Sequence, residues 1–230
     1  MALLPGRSAL PLESTAQAGS SEPRWPAGVA LLALAGVYST LPASLLIAGR
    51  RWLLPVVLLV LFLPAVVSHR RGNHFLNQVL GYILNSVITL ALIWSLALMI
   101  KSLLQHTVDS RSLLLSGAAL WLANILVFAS WYWHLDGGGP NQRRLAPAHV
   151  DGAFLFPQMT MSPEARLAAG EHEWQPGFVD YLFLAFNTST AFSPTDAPVL
   201  SRWAKIMMMI QALISLLIVA LLAGRAVNIL

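Results

Sequence analysis

Residues 178–198 read FVDYLFLAFNTSTAFSPTDAP, and this segment is the most informative one for the architecture of the chain. It begins with an apolar helical pattern, becomes rich in hydroxyl groups, and then meets Pro194 and Pro198, which end a helix. The apolar part is shorter than the about 20 helical residues that a bilayer requires. Because non-helical backbone survives at membrane depth only against protein or a water-filled cavity, we predict that residues 178–198 form a re-entrant segment.

The composition of the whole chain places this segment in a membrane protein. Of the 230 residues, 57% are hydrophobic and only 10% are charged, whereas soluble domains carry about 25% charged residues. From Arg24 to Gln105 the chain has no carboxylate, which a soluble surface would not tolerate. We therefore predict an all-α polytopic protein of the cell membrane, in contact with the lipid bilayer.

The basic residues stand at the edges of the apolar runs, where three arginine pairs occur at 50–51, 70–71 and 143–144. This placement is typical of membrane anchoring, so we predict no nucleic-acid partner despite the net charge of +4. The absence of cysteine excludes disulfides and thiolate metal sites. No aspartate pair lies in the apolar spans, and we predict no enzymatic activity, no cofactor and no metal.

Composition changes along the chain predict about five transmembrane helices around the re-entrant segment. Residues 1–26 are predicted to form a mobile N-terminal tail, and residues 27–111 to form N-terminal transmembrane helices. Within them Gly28–Ile47 is long enough to span but contains Pro42, so a hairpin or interfacial helix is the alternative. The other predicted spans are Leu53–Val67, which is short, Phe75–Ile100, Leu113–Leu135 and Trp203–Leu230.

Two further patterns concern packing. Gln78, Tyr82, Asn85 and Thr89 share one face of the predicted helix 75–100. We favour hydrogen bonds from this stripe to neighbouring helices over a substrate pathway. In the long loop 136–177, the apolar patch Phe154–Phe156 is predicted to dip toward the membrane interface or to pack on a neighbouring element.

The order of segments at the C-terminal end resembles the pore module of tetrameric, potassium-channel-like proteins. Phe186 and Asp196 have the family's spacing between the end of the pore helix and the aspartate that closes the filter, with Thr188 and Thr190 between them. The resemblance continues through Gln211–Ile214, with Ser215 at the family's hinge glycine, to the small and basic residues Ala223–Val227.

This resemblance implies a pore-loop-like module over residues 112–230. Its parts would be an outer helix, the long loop 136–177, the re-entrant segment 178–198 and an inner helix 203–230. It also implies a homotetramer, because one copy of such a loop cannot enclose an axis. Passive ion permeation is the implied function.

The filter departs from the family, because Ser193, Pro194 and Thr195 stand where Gly-Tyr-Gly would be. Four copies would instead present rings of hydroxyl groups, with Phe192 as a constriction and Asp196 as a ring of negative charge that favours cations weakly. The predicted hydroxyl rings come from Thr188, Ser189, Thr190, Ser193 and Thr195. Gln211 and Ser215 are predicted either to face the pore or to bond between subunits.

Three readings of the function stay open. The first is an inorganic-ion channel with a non-canonical filter, and the alternative is a non-conducting membrane scaffold or regulatory subunit on the same fold. A small-solute transporter comes third, because the sequence shows no internal repeat of the kind that many transporters have. The chain also resembles uncharacterised bacterial membrane proteins that share FLFPQ, AFSPTD and AVNIL, here Phe154–Gln158, Ala191–Asp196 and Ala226–Leu230. That second resemblance implies no known activity.

Overall fold

The computed structural model describes residues 25–105, 109–145, 152–170, 174–190 and 197–227, with the backbone alone at 144–145 and 225–227. Within the described residues the regular secondary structure is helical, apart from one isolated antiparallel bridge between Phe154 and Val199. The prediction of an all-α chain is therefore confirmed. The predicted tail lies outside the described residues up to position 24.

Nine α-helices are described. They are α1 (Trp25–Thr40), α2 (Leu53–Arg70), α3 (His74–Gln105), α4 (Ser110–Leu135), α5 (Pro140–Leu145), α6 (Pro157–Thr160), α7 (Pro163–Ala168), α8 (Phe178–Thr190) and α9 (Arg202–Val227). Helices α2, α3, α4 and α9 are long and apolar enough to cross a membrane. The long loop 136–177 thus contains the short helices α5, α6 and α7, which were not predicted from the sequence.

Helix α1 is shorter than the predicted segment Gly28–Ile47, because it ends at Thr40. Pro42 disfavours helical backbone at Leu41 and cannot donate a backbone hydrogen bond, so the chain turns through two short 3-10 segments. The backbone N–H of Ile47 donates to Tyr38 Oη at 3.0 Å, which ties this turn back onto α1.

The α2–α3 connection is a tight hairpin. Gly72 adopts φ 72°, a left-handed conformation that glycine accepts without a Cβ penalty. Ser68 Oγ donates to the carbonyl of Asn73 at 2.8 Å, and Asn77 Nδ2 donates to the carbonyl of Ala65 at 2.8 Å. These bonds hold the end of α2 against the start of α3.

Helix α4 lies at the centre of the structure and packs against α1, α3, α8 and α9. Asp109 caps its N-terminus, where the carboxylate accepts from the backbone N–H of Ser112 at 2.9 Å. Gly117 provides the close approach of α9, since a Cβ at this position would collide with the side chain of Leu222. Helix α4 therefore connects the N-terminal helices to α8 and α9.

The predicted polar stripe on α3 bonds to α4. Ser130 Oγ donates to Asn85 Oδ1 at 2.7 Å, and Trp131 Nε1 donates to Thr89 Oγ1 at 2.8 Å. Tyr82 stacks on the indole of Trp131, with 6.4 Å between ring centroids. Hydrogen bonding between helices is therefore the role of these side chains in the structure.

Candidate functional site

Helix α8 packs against α4 and α9, with one face buried and the other exposed. Its exposed residues include Val179, Phe183 and Phe186. The spacing of three and four residues between buried positions follows the helical period, which explains why one face turns inward. The buried face carries Phe178, Tyr181, Leu184, Ala185, Thr188 and Ser189.

One buried amide joins three helices. Gln211 of α9 donates from Nε2 to the carbonyl of Ala185 at 2.7 Å and to Ser189 Oγ at 2.8 Å, both on α8. Its Oε1 accepts from Tyr132 Oη of α4 at 2.6 Å. Because Gln211 is 0% exposed, these partners replace water completely.

A second contact lies about one turn further along α9. Asn124 Nδ2 of α4 donates to Ser215 Oγ at 2.8 Å and to the carbonyl of Gln211 at 3.2 Å. Asn124 and Ser215 are both buried. The two contacts together set the axial register of α9 against α4.

A buried carboxylate holds the beginning of α8. Asp136 follows α4 directly, is 0% exposed, and accepts from Tyr181 Oη at 2.6 Å and from the backbone N–H of Ala153. Arg143 donates from Nη1 to the carbonyls of Trp133 at 2.8 Å and Asp136 at 2.7 Å. Its guanidinium lies 5.0 Å from the centroid of the Tyr181 ring.

These contacts correct the anchoring role predicted for Arg143, because its side chain is buried in protein. Hydrogen bonds to the carbonyls of Trp133 and Asp136 hold the guanidinium against the end of α4. No role was predicted for Asp136. A carboxylate that directly follows an apolar span indicates a specific polar partner, so the sequence does carry a signal for it.

The apolar patch Phe154–Phe156 packs on neighbouring elements, which is one of its two predicted placements. Phe154 forms ring contacts with Tyr132, Tyr181 and Trp203, at centroid distances of 5.3, 6.2 and 6.1 Å. The backbone N–H of Leu155 donates to the carbonyl of Pro198 at 2.9 Å, and that of Leu200 donates to the carbonyl of Ala153 at 2.8 Å. Residues 198–200 therefore lie at the same end of the structure as the beginning of α8.

Three of the eight predicted filter residues lie within the described helix α8. Thr188 Oγ1 donates to the carbonyl of Leu184 at 2.8 Å, and Thr190 Oγ1 donates to the carbonyl of Asn187 at 3.0 Å. Ser189 accepts from Gln211 as described above. The remaining predicted filter residues, Phe192, Ser193, Pro194, Thr195 and Asp196, lie outside the described residues.

The structure places Gln211 and Ser215, which were predicted to face the pore or to bond between subunits, on the buried side of α9. Both side chains form hydrogen bonds to other helices of the same chain, Gln211 to α4 and α8 and Ser215 to α4. Helix α8 presents the carbonyl of Ala185 and the hydroxyl of Ser189 to α9, and Gln211 donates a hydrogen bond to each of these buried groups. The sequence could place both residues on one helical face but not decide which neighbour that face meets.

Across the described part of the chain, no group of three His, Asp or Glu side chains is placed to hold a metal ion. Comparison with known proteins finds no matching family model, no matching curated protein and no matching solved structure.

Proposed function

We propose that this chain is a subunit of a homotetrameric, ion-channel-like membrane protein, with α4 as outer helix, α8 as pore helix and α9 as inner helix. The observation that carries the proposal is the short helix α8, bonded between two long apolar helices by Gln211 and Tyr132. The bilayer here is taken to be the cell membrane, crossed by five helices with α1 as the shortest.

The path of the chain supports a re-entrant α8. At about 1.5 Å per residue, its 13 residues extend ~20 Å, less than the ~30 Å hydrocarbon core. Its first residue Phe178 contacts Trp133 near the end of α4, at 5.8 Å between ring centroids. Residues 198–200 pair with the segment 153–155 at that same end. These contacts support a path in which the chain enters and leaves on one side of the membrane.

Residues 191–196 lie in the sequence between α8 and the segment 198–200. In four copies around an axis, Ser193 and Thr195 would supply hydroxyl rings, Phe192 a constriction, and Asp196 a negative ring near the mouth. Such rings stabilise a partly dehydrated cation more than an anion, which is why we assign weak cation selectivity.

The exposed face of α9 supports association of several copies. Only 17% of its spanning window is buried within one chain. From Ile206 to Gly224 the exposed residues carry no charge, and they recur every three or four positions, as at Ile206, Ile210, Leu213 and Leu217. A stripe of this kind can pack against the same helix of a neighbouring subunit or against lipid.

A second candidate is a non-conducting scaffold on the same fold. The observation that favours it is that Thr188, Ser189 and Thr190 each form a hydrogen bond within the chain. A proline in place of a filter glycine also fits a closed segment.

Ion flux in liposomes distinguishes the two candidates. Purified protein is reconstituted under separate potassium, sodium and chloride gradients, and wild type is compared with Thr190→Trp, which fills the proposed axis. The matched control is Val179→Trp, because Val179 lies on the exposed side of the same helix. The channel proposal expects cation flux that only Thr190→Trp abolishes. Absence of flux from folded tetramers would instead favour the scaffold.

A further inference from the structure

A cavity of about 490 Å³ lies between α1, α2, α3 and α4, away from the contacts of α8. This volume falls in the range of about 300–1,000 Å³ that is typical of small-molecule sites. The cavity begins where α2 ends at His69 and Arg70, beside the beginnings of α1 and α3. Trp25 and Arg70, which line this end, are exposed, so the cavity opens there.

The depth of the cavity matches one leaflet of a bilayer. Its α3 wall runs from Asn77 to Ile88, which is ~16 Å at about 1.5 Å per residue. Half of a ~30 Å hydrocarbon core is about the same distance. The inner wall is apolar and is formed by Ala30, Leu31, Leu34, Leu84, Ile88 and Leu126.

The space exists because small residues line it. Ala27, Gly28 and Ala30 of α1 and Ala65 of α2 contribute little volume to the wall. A Cβ at Gly28 would be 3.9 Å from Phe62, which is an ordinary contact, so a methyl group would fit there without a collision. The absence of larger side chains keeps the cavity open to a ligand.

The mouth is polar and favours an anion. Arg70 supplies a permanent positive charge, and His69, Asn77, Gln78 and Asn141 line the same end. Gln78 Nε2 is held by hydrogen bonds to Tyr82 Oη at 2.9 Å and to the carbonyl of Gly138 at 3.3 Å. Among the described residues that line the cavity there is no carboxylate. The charge therefore complements a phosphate and would not repel one.

We propose that this cavity binds one acyl chain of an anionic membrane phospholipid, with the phosphate at Arg70. The apolar wall takes a single chain from the adjacent leaflet, and the polar mouth lies at headgroup depth. The second acyl chain stays in the bilayer. Since the cavity touches α4, which also packs against α8, a bound lipid stabilises the helix that supports the pore module.

Native mass spectrometry of delipidated full-length protein tests the proposal. Phosphatidylglycerol and phosphatidylcholine with the same acyl chains are added in turn, and the lipids retained per chain are counted. We expect one tightly retained phosphatidylglycerol, and a loss of its affinity of about tenfold or more in Ala30→Phe, because burial of each methylene group contributes to binding. The matched control is Leu32→Phe, on the exposed side of α1. Equal retention in both variants would overturn the acyl-chain site.

The proposed phosphate position is tested by substituting exposed arginines, because such a substitution does not disturb buried packing. Arg70→Gln should abolish the preference for phosphatidylglycerol over phosphatidylcholine, whereas the neighbouring Arg71→Gln should keep it. An unchanged preference in Arg70→Gln would contradict the assigned phosphate position. If free palmitate binds with the same stoichiometry while neither phospholipid is retained, the ligand is a fatty acid and the proposal is wrong.

Discussion

The amide of Gln211 is the residue on which the contact of α4, α8 and α9 depends. Replacement by leucine keeps the volume roughly constant but leaves Tyr132 Oη and the carbonyl of Ala185 without their partner. A buried polar group that loses its hydrogen-bond partner in a membrane protein has few other groups to bond with. We therefore expect Gln211→Leu to lower the free energy of unfolding by about 2 kcal/mol.

Thermal unfolding in mild detergent measures this loss. The control is Gln175→Leu, since Gln175 is exposed and precedes α8. Gln211→Glu tests the donor separately, because a carboxyl group cannot donate two hydrogen bonds to α8. If Gln211→Leu unfolds at the same temperature as the control, the amide does not hold the helices together.

Loss of the Asp136 carboxylate should also destabilise the protein. In Asp136→Ala, Tyr181 Oη and the backbone N–H of Ala153 lose a buried acceptor. We expect a loss of about 2–4 kcal/mol, since two buried donors become unsatisfied. Tyr181→Phe removes only one of the two bonds and should cost less. Unfolding in a denaturant series measures both, and an order of stability opposite to this one would contradict the role of Asp136.

At the scale of one helix, the cap of α4 predicts a small pH effect. The backbone N–H of Ser112 donates to Asp109 and lowers the pKa of this carboxyl below its usual value. A lowered folded-state pKa means that the cap stabilises fully above the unfolded value and loses this effect as the pH falls through the folded value.

Asp109→Asn keeps a capping side chain but does not titrate. We expect the variant to lose less stability than wild type as the pH falls below about 4, near the ordinary pKa of aspartate. Unfolding temperatures at a series of pH values compare the two proteins. Parallel pH profiles would show that the cap does not contribute.

The close approach of α4 and α9 at Gly117 can be tested by comparing alanine substitutions at Gly117 and at Gly36 of α1. Gly117→Ala places a methyl group against Leu222, so overpacking should destabilise the protein by about 1–3 kcal/mol. Gly36→Ala meets nothing within 4 Å and should stabilise α1 by about 0.5–1 kcal/mol, because alanine favours helix. Unfolding temperatures that move in the same direction for both variants would contradict the close approach.

The sequence predicted the long helices and α8 well, because apolar runs and prolines act locally. It also predicted that the polar side chains of α3 share one face, because the helical period determines which residues lie on the same side. It did not predict that Arg143 is buried, or which way Gln211 points, since both depend on contacts between segments far apart in the chain. Helix α1 ended earlier than its hydropathy indicated because a proline outweighed the apolar run.

At the scale of the whole molecule, the proposal requires four copies around one axis. Native mass spectrometry in a detergent that preserves lipid contacts should give a complex of about 100 kDa, four chains of 25.0 kDa each. A monomer or dimer under these conditions would contradict the tetramer and with it the pore.

Leu213→Arg, on the exposed stripe of α9, should shift the complex toward monomers if that stripe is the interface.

In the proposed topology, the chain enters the membrane at α8 and returns to the same side before α9. Because the chain contains no cysteine, single substitutions can be labelled with a membrane-impermeant maleimide without background. The positions are Gln175→Cys before α8, Arg202→Cys at the start of α9 and Arg111→Cys at the start of α4, all exposed. We predict that Gln175→Cys and Arg202→Cys are labelled from one side of sealed vesicles and Arg111→Cys from the other. Labelling of Gln175→Cys and Arg202→Cys from opposite sides would show that α8 spans the membrane and would contradict the account.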